Sequence, residues 1–201
     1  MDKRLTHLNL FFSTPIWTSI IPNYKNINEK MMNYINTLRT NNPTGKIRSN
    51  MLGWHSENFK LQDPEPDFYI KNISPILNEA LIDMGWDLNK NEIKISSMWT
   101  IINPTNASNA RHIHSNNFIS AAYYLKAPEN CGDIHFYDPR EQNIIRTPII
   151  KETNKLNLQV INIMPKEGLL VLFPSYLYHS VGINKSNEER IVLSFNINLI
   201  Y

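Results

Sequence analysis

Two histidines that stand two residues apart are the first feature of the chain with the types and spacing for metal chemistry. His112 and His114 form a His-x-His pair, and His179 and Arg190 follow later in the chain. Side chains two apart on an extended segment point to the same side, so the two imidazoles can converge on one ion. Each histidine alone also has an ordinary structural interpretation. Their joint occurrence favours a metal site over separate structural histidines, and Arg190 adds a planar fork that can bind a carboxylate through two hydrogen bonds.

The composition of the chain limits which kinds of site, partner and location it can have. Cys131 is the single cysteine, so neither an internal disulfide nor a cysteine-rich zinc pattern is available, and a reducing, cytoplasmic location is expected. The 20 basic and 18 acidic residues leave a net charge of +2 without a long basic run, which predicts no nucleic-acid partner. No apolar run approaches the roughly 18 residues of a membrane span, and no secretory signal is expected. The oligomeric state stays open, with a homodimer as one option.

The elements that must position these residues change in character near residue 90. At 201 residues the chain predicts one domain, 1–201, in which 1–90 supplies an N-terminal strand and supporting helices. The segment 8–21 predicts an edge strand or two short strands, because Pro15 interrupts it. Helical spacing of apolar residues predicts helices over 27–39 and 67–84. Pro75 implies that the second helix either kinks or starts there, and Trp54 and His55 fall in a loop between the two helices.

The second part, 91–201, predicts a catalytic core made of short strands. Many short strands after two helices indicate a mainly β fold, a jelly roll or double-stranded β-helix of cupin-like type with the helices packed on one sheet. The predicted strands are 93–103, 117–126, 132–137, 144–150, 157–163, 168–173, 176–183 and 190–200.

The last strand alternates with a period of two. Its odd positions from 191 to 199 are apolar, whereas its even positions include Arg190, Ser194 and Asn196. The polar face could lie in water, or it could face a barrel lumen where Arg190 must meet an anion. On the strand near 117–126, Ser120 and Tyr124 share the parity of the two neighbouring histidines.

The stretches HIHSNNFISAAYYLKAPENCGDIHFYDPR and GLLVLFPSYLYHSVGINKSNEERIVLSFNI resemble the core of Fe(II)/2-oxoglutarate-dependent oxygenases, in the prolyl-4-hydroxylase-like branch. The resemblance extends over about 95–201. It implies Fe(II), 2-oxoglutarate and O2 as cofactor and co-substrates, with hydroxylation of a substrate C–H bond and release of succinate and CO2. By resemblance His112 and His179 are iron ligands and Arg190 anchors 2-oxoglutarate. Further co-substrate contacts are then expected from Tyr124, Ser120, Ser194 and Asn196.

One departure from the family pattern concerns the third ligand, because His114 stands where the family has a carboxylate. His114 can itself be the ligand, which gives a three-histidine site. Asp133 or Asp138 can instead supply a carboxylate beside it. In the third alternative, water is the third metal ligand, or the site has a different function.

Two other functions compete with the oxygenase. One is a cupin-like three-histidine metalloprotein that does not use 2-oxoglutarate, and the other is a non-catalytic jelly-roll binding module whose histidines are structural or hold zinc. Neither needs a buried arginine near the metal, so Arg190 favours the oxygenase. The substrate, a protein side chain or a small molecule, is not selected by the sequence.

Overall fold

The computed structural model describes residues 5–140 and 148–200, which form two helices and eleven strands. In chain order these are β1 (Trp17–Ile20), α1 (Tyr24–Asn41), β2 (Asn50–Met51), β3 (Trp54–His55), α2 (Pro64–Asp83), β4 (Glu92–Asn103), β5 (Ser108–His112), β6 (Ile119–Lys126), β7 (Ile134–Tyr137), β8 (Val160–Ile163), β9 (Leu169–Pro174), β10 (His179–Val181) and β11 (Arg190–Ile200).

The strands form two antiparallel sheets that pack on each other. The larger sheet has the order β1-β9-β6-β11-β4-β3, and the smaller one has the order β2-β5-β10-β7-β8. A buried cluster with Tyr124 and Val192 from the larger sheet and Phe136 from the smaller one lies between them. The predicted jelly-roll core of a mainly β fold is confirmed.

Strand β11 shows how the two faces of the larger sheet differ. Ile191, Leu193 and Phe195 join the main hydrophobic core, which also contains apolar residues of both helices. Arg190 and Ser194 lie on the opposite face and line an internal cavity. The polar face of β11 is therefore turned into the barrel lumen and not into water, because the helices cover the apolar face.

Helix α2 runs through Pro75 without stopping, so the predicted start at Pro75 is wrong. The helix begins one turn earlier than the apolar pattern suggested, with Pro64 in the first turn, where the missing N–H of proline costs no hydrogen bond. In the described part of the chain, no helix combines the length and the apolar character needed to cross a bilayer.

Several predicted strands are shorter than expected or differ in place. β1 lies at an edge of the larger sheet, as predicted, whereas Trp54 and His55 form the short strand β3 and not a loop. His112 is the last residue of β5, a strand that is not among the predicted ones. Of the predicted strand 144–150, residues 144–147 lie outside the described residues, and 148–150 are not in a strand.

Candidate metal and co-substrate site

Three histidines meet where β5 and β10 pair. His112 and His179 are direct neighbours in the register of these strands, and their ring centroids are 4.2 Å apart. His114 lies two residues beyond β5, where its backbone N–H donates to the Ser175 carbonyl over 3.0 Å. This places His114 Nε2 3.3 Å from His179 Nε2. One ligand atom of each histidine lies within 4.8 Å of the others, so the three can bind one ion.

Backbone carbonyls fix the tautomers of two of these histidines. His112 Nδ1 lies 2.7 Å from the Ala110 carbonyl, and His179 Nδ1 lies 3.0 Å from the Leu177 carbonyl. A carbonyl oxygen can only accept, so each Nδ1 carries the proton and each Nε2 keeps its lone pair. This is the arrangement that orients histidine ligands in metal sites.

Burial also keeps the three imidazoles neutral. It lowers the pKa of His112, and, together with the charges of the neighbouring histidines, it lowers the pKa of His114 to about 4 and that of His179 to about 3. Neutral imidazole is the form that binds a metal, and an all-nitrogen set suits borderline divalent ions, among them Fe(II). The residues present therefore fit an iron ion.

The two aspartates weighed as a third ligand are engaged elsewhere or separate from the cluster. The Asp138 carboxylate accepts from Arg140 Nη2 over 2.7 Å and from Arg140 Nε over 3.0 Å. Asp133 lies on the segment beside Arg190. Within the described residues, no carboxylate joins the group formed by the three histidines.

Arg190 is a buried cation without a matching anion. Its side chain is only 1% exposed, and its Nη1 donates to the carbonyls of Cys131 (2.7 Å) and Gly132 (3.0 Å). Its Nε has no hydrogen-bond partner, and no carboxylate among residues 5–140 and 148–200 forms an ion pair with it. Burial lowers its pKa. An uncompensated buried guanidinium is costly, so this position calls for a bound anion.

The three histidines and Arg190 line one cavity of about 640 Å³. Tyr124 and Ser194 also line it, as expected for co-substrate contacts. The phenol of Tyr124 is buried beside the Arg190 charge, and burial raises its pKa, so it stays protonated and can donate a hydrogen bond.

Ser120 and Asn196 are not among the residues that line this cavity, and their contact with the co-substrate stays a prediction. The Ser120 hydroxyl donates to Asn196 Oδ1 over 2.8 Å and lies 2.7 Å from the Ser175 hydroxyl. Asn196 Nδ2 donates in turn to Ser97 Oγ over 3.1 Å. These polar atoms satisfy one another, and they support the wall near the segment that leads into His114.

The sequence did not single out His55 as a site residue, yet it lines the cavity. Its ring stacks on Trp99 at 5.8 Å, and the Trp99 ring lies 5.5 Å from that of His114. No local pattern marks His55, because it reaches the site through the pairing of β3 with β4. Trp99 also lines the cavity, whereas Asn103 is buried outside the lining and donates to Asn109.

Comparisons with known proteins agree with this geometry. The family model described as "Putative 2OG-Fe(II) oxygenase" matches residues 97–196, a span that contains the three histidines and Arg190. No curated protein sequence matches the chain significantly.

Solved structures show the same fold at low sequence identity. A prolyl-4-hydroxylase from Pseudomonas putida has a TM-score of 0.61 at 14% identity, and the match covers 92% of this chain and 93% of that one. A viral collagen prolyl hydroxylase from Paramecium bursaria Chlorella virus-1, in its 2-oxoglutarate complex, has a TM-score of 0.56 at 14% identity, covering 90% and 94%. HygX from Streptomyces hygroscopicus, with nickel, 2-oxoglutarate and hygromycin B bound, has a TM-score of 0.61 at 10% identity, covering 94% and 84%.

The family match and the shared fold agree with a cavity in which three neutral imidazoles lie near a buried arginine. The chain belongs to the superfamily of Fe(II)- and 2-oxoglutarate-dependent oxygenases, and it is an enzyme of that class.

Proposed function

We propose that this enzyme hydroxylates a C–H bond of its substrate while it converts 2-oxoglutarate to succinate and CO2. His112, His114 and His179 would hold Fe(II), and Arg190 would bind the far carboxylate of 2-oxoglutarate. The observation that carries the proposal is the buried Arg190, which forms no ion pair with any described residue and shares one cavity with three neutral imidazoles.

The protein residues have separate tasks in this reaction. Iron, 2-oxoglutarate and O2 supply the oxidation when they are bound. The carbonyls of Ala110 and Leu177 keep the Nε2 lone pairs of His112 and His179 directed at the metal position. Arg190 and the protonated phenol of Tyr124 orient the co-substrate by donating hydrogen bonds to its carboxylate.

The two rival functions do not explain Arg190. A cupin-like metalloprotein that does not use 2-oxoglutarate, or a binding module with structural or zinc-binding histidines, gains nothing from a guanidinium that is only 1% exposed. Such a buried charge destabilises the fold unless an anion binds there.

Absorbance under argon tests the proposal. Fe(II) and 2-oxoglutarate together are expected to give a weak visible charge-transfer band in the wild type. His179→Ala is expected to abolish it, and Arg190→Ala is expected to weaken 2-oxoglutarate binding by about tenfold or more while Fe(II) still binds. His135→Ala is the matched control, because His135 bonds to Asn162 and does not line the cavity. A wild type that gives neither the band nor succinate in air would overturn the proposal.

A second pair of variants tests His114 as the third ligand. His114→Ala is expected to lower Fe(II) affinity, since it removes one of three nitrogen ligands. His114→Asp is expected to keep Fe(II) bound, because a carboxylate is an accepted ligand in such sites. Anaerobic titration measures the Fe(II) affinity of each variant. If the wild type and His114→Ala have equal affinity, His114 is excluded from the ligand set, and Asp133 or Asp138 becomes the candidate third ligand.

We further propose that the substrate is a protein side chain or a small molecule and that the enzyme is cytoplasmic. The solved relatives include prolyl hydroxylases and an enzyme with hygromycin B bound, so the fold accommodates both protein side chains and small molecules. A cytoplasmic location is expected from the single free cysteine.

A further inference from the structure

The charges that line the cavity are all of one sign. Among the described residues in the lining, the charged side chains are Arg48, Arg111 and Arg190, and no aspartate or glutamate is present. Burial keeps the three clustered histidines neutral, so they add no charge of either sign. In the proposed function the far carboxylate of 2-oxoglutarate would pair with Arg190, so it would offset the positive charge of neither Arg48 nor Arg111.

Two of the three arginines are already accounted for. Arg190 binds the far carboxylate of 2-oxoglutarate in the proposed function. The guanidinium of Arg111 lies between the rings of Tyr137 and Tyr178, at 4.3 Å and 4.6 Å from their centroids. Arg48 is the remaining cation in the lining.

Arg48 is exposed and has no acidic partner among the described residues. Its neighbour Lys46 pairs with Glu57, so the nearby carboxylate is already used. An exposed arginine that also lines the cavity stands at the cavity opening. It is therefore available to a molecule that enters.

The segment that carries Arg48 is fixed in place. The Arg48 N–H donates to Asn50 Oδ1 over 2.7 Å, and Asn50 Nδ2 donates to the Gly53 carbonyl over 2.6 Å. The Ser49 carbonyl accepts from the Ala110 N–H over 2.8 Å. Arg48 is thus tied to β5, the strand that ends in His112, and this attachment reduces the entropy that binding would cost.

His55 shows that the charge of Arg48 reaches the cavity wall. Burial lowers the pKa of His55, and the positive charges of Arg48 and Lys46 lower it further. The Nδ1 of His55 lies 2.7 Å from the Ser56 carbonyl, which can only accept, so Nδ1 carries a proton. The lowered pKa of His55 favours the neutral ring, which adds no positive charge beside Arg48.

From this arrangement, and on the basis of the proposed function, we propose that the substrate carries a carboxylate and that Arg48 binds it at the cavity opening. The carboxylate can belong to a free organic acid or to an aspartate or glutamate side chain of a protein. In both cases Arg48 determines specificity through charge and not through contact with the reacting C–H bond.

A matched pair of probes tests this. Phenylacetate and phenylacetamide have nearly the same shape and differ in charge, and their binding is measured by calorimetry on protein loaded with Fe(II) and 2-oxoglutarate under argon. Phenylacetate is expected to bind about fivefold or more tightly than phenylacetamide, and this preference is expected to shrink as salt is raised. Arg48→Gln is expected to remove most of the preference, whereas Lys25→Gln, an exposed cation of α1 outside the lining, is expected to keep it.

Equal or undetectable binding of both probes, or a preference that Arg48→Gln leaves unchanged, overturns the proposal. The charge-transfer band without a probe is recorded on the same samples. Loss of that band indicates failure of the proposed function, whereas a normal band without an anion preference indicates failure of this inference alone.

Succinate formation in air distinguishes the two sources of the carboxylate. Free organic acids and peptides that contain aspartate or glutamate are each compared with their amide counterparts. The proposal is supported if the acids of either set stimulate succinate formation and Arg48→Gln loses this stimulation. Stimulation confined to neutral or cationic compounds contradicts it.

Discussion

At the scale of single residues, the site depends on imidazoles that stay neutral. His179 is 4% exposed, and burial with the two neighbouring histidines lowers its pKa to about 3. The same feature that prepares the ring for a metal makes the metal-free protein sensitive to acid. In the unfolded chain the pKa of His179 is about 6.5. Below that pH the unfolded chain binds a proton at His179 that the native state does not bind.

We therefore expect the free energy of unfolding of the metal-free protein to fall as the pH decreases from about 7.5 to about 5. His179 alone contributes about 2 kcal/mol of this loss at about pH 5, because its folded pKa lies well below its unfolded value. Urea unfolding at a series of pH values measures the slope.

His179→Asn is expected to reduce this slope. If the wild type and His179→Asn showed the same pH dependence, the neutral state of His179 in the fold would be contradicted.

At the scale of elements, the position of Arg190 depends on a close approach between two segments of backbone. Gly132 precedes β7, and Gly182 follows β10. The Gly182 N–H donates to the Asp133 carbonyl over 2.9 Å, and the carbonyls of Cys131 and Gly132 accept from Arg190. Gly132 has a φ of +89°, and a Cβ there would lie 2.3 Å from the Gly182 carbonyl oxygen. No larger residue fits without moving the carbonyls that hold Arg190.

Gly132→Ala is accordingly expected to weaken 2-oxoglutarate binding by about tenfold and to destabilise the fold by about 2 kcal/mol or more. Gly85→Ala is the matched control. Gly85 also has a positive φ of +69°, but no atom lies within 4 Å of an added Cβ, so the control carries the backbone strain without the clash.

Anaerobic titration and urea unfolding of both variants separate the two effects. Unchanged 2-oxoglutarate affinity in Gly132→Ala would show that the contact between these segments does not position Arg190.

At the scale of the whole molecule, a buried polar contact joins the helical part to the strand core. Asn28 of α1 is 8% exposed, and its Nδ2 donates to the Leu125 carbonyl of β6 over 2.8 Å. The Tyr123 hydroxyl donates to Asn28 Oδ1 over 2.6 Å. Around this contact, apolar residues of α1, α2 and the larger sheet form one core cluster. The chain is therefore expected to unfold as one unit, and the single domain 1–201 stays a prediction that this expectation tests.

Asn28→Ala leaves the Tyr123 hydroxyl and the Leu125 carbonyl without their partner, and it is expected to cost about 2–3 kcal/mol of unfolding free energy. Far-UV and near-UV circular dichroism are expected to report the same shifted midpoint, because helices and sheets lose their structure together. Asn33→Ala, on an exposed position of the same helix, is expected to change the stability by less than about 0.5 kcal/mol. Separate transitions for the two signals would contradict the single-domain prediction.

Much of the fold and part of the site could be inferred from local patterns. The period of two in β11, the His-x-His pair and the helical spacing of α1 are properties of neighbouring residues, and the resemblance to the oxygenase family added the expected metal and co-substrate. The match of the family model and the fold of the solved relatives confirm the class of enzyme.

Other features depend on contacts between residues distant in the chain. The alternation in β11 defines two faces, but the packing of helices on one of them is what turns Arg190 inward. Ser120 has the parity of a lining residue, yet its hydroxyl donates to Asn196, 76 positions away, and it is not among the lining residues. His55 lines the cavity because β3 pairs with β4, and no local sequence pattern predicts this pairing. Periodicity specifies which side chains share a face, whereas long-range packing and competition for hydrogen bonds specify what each face meets.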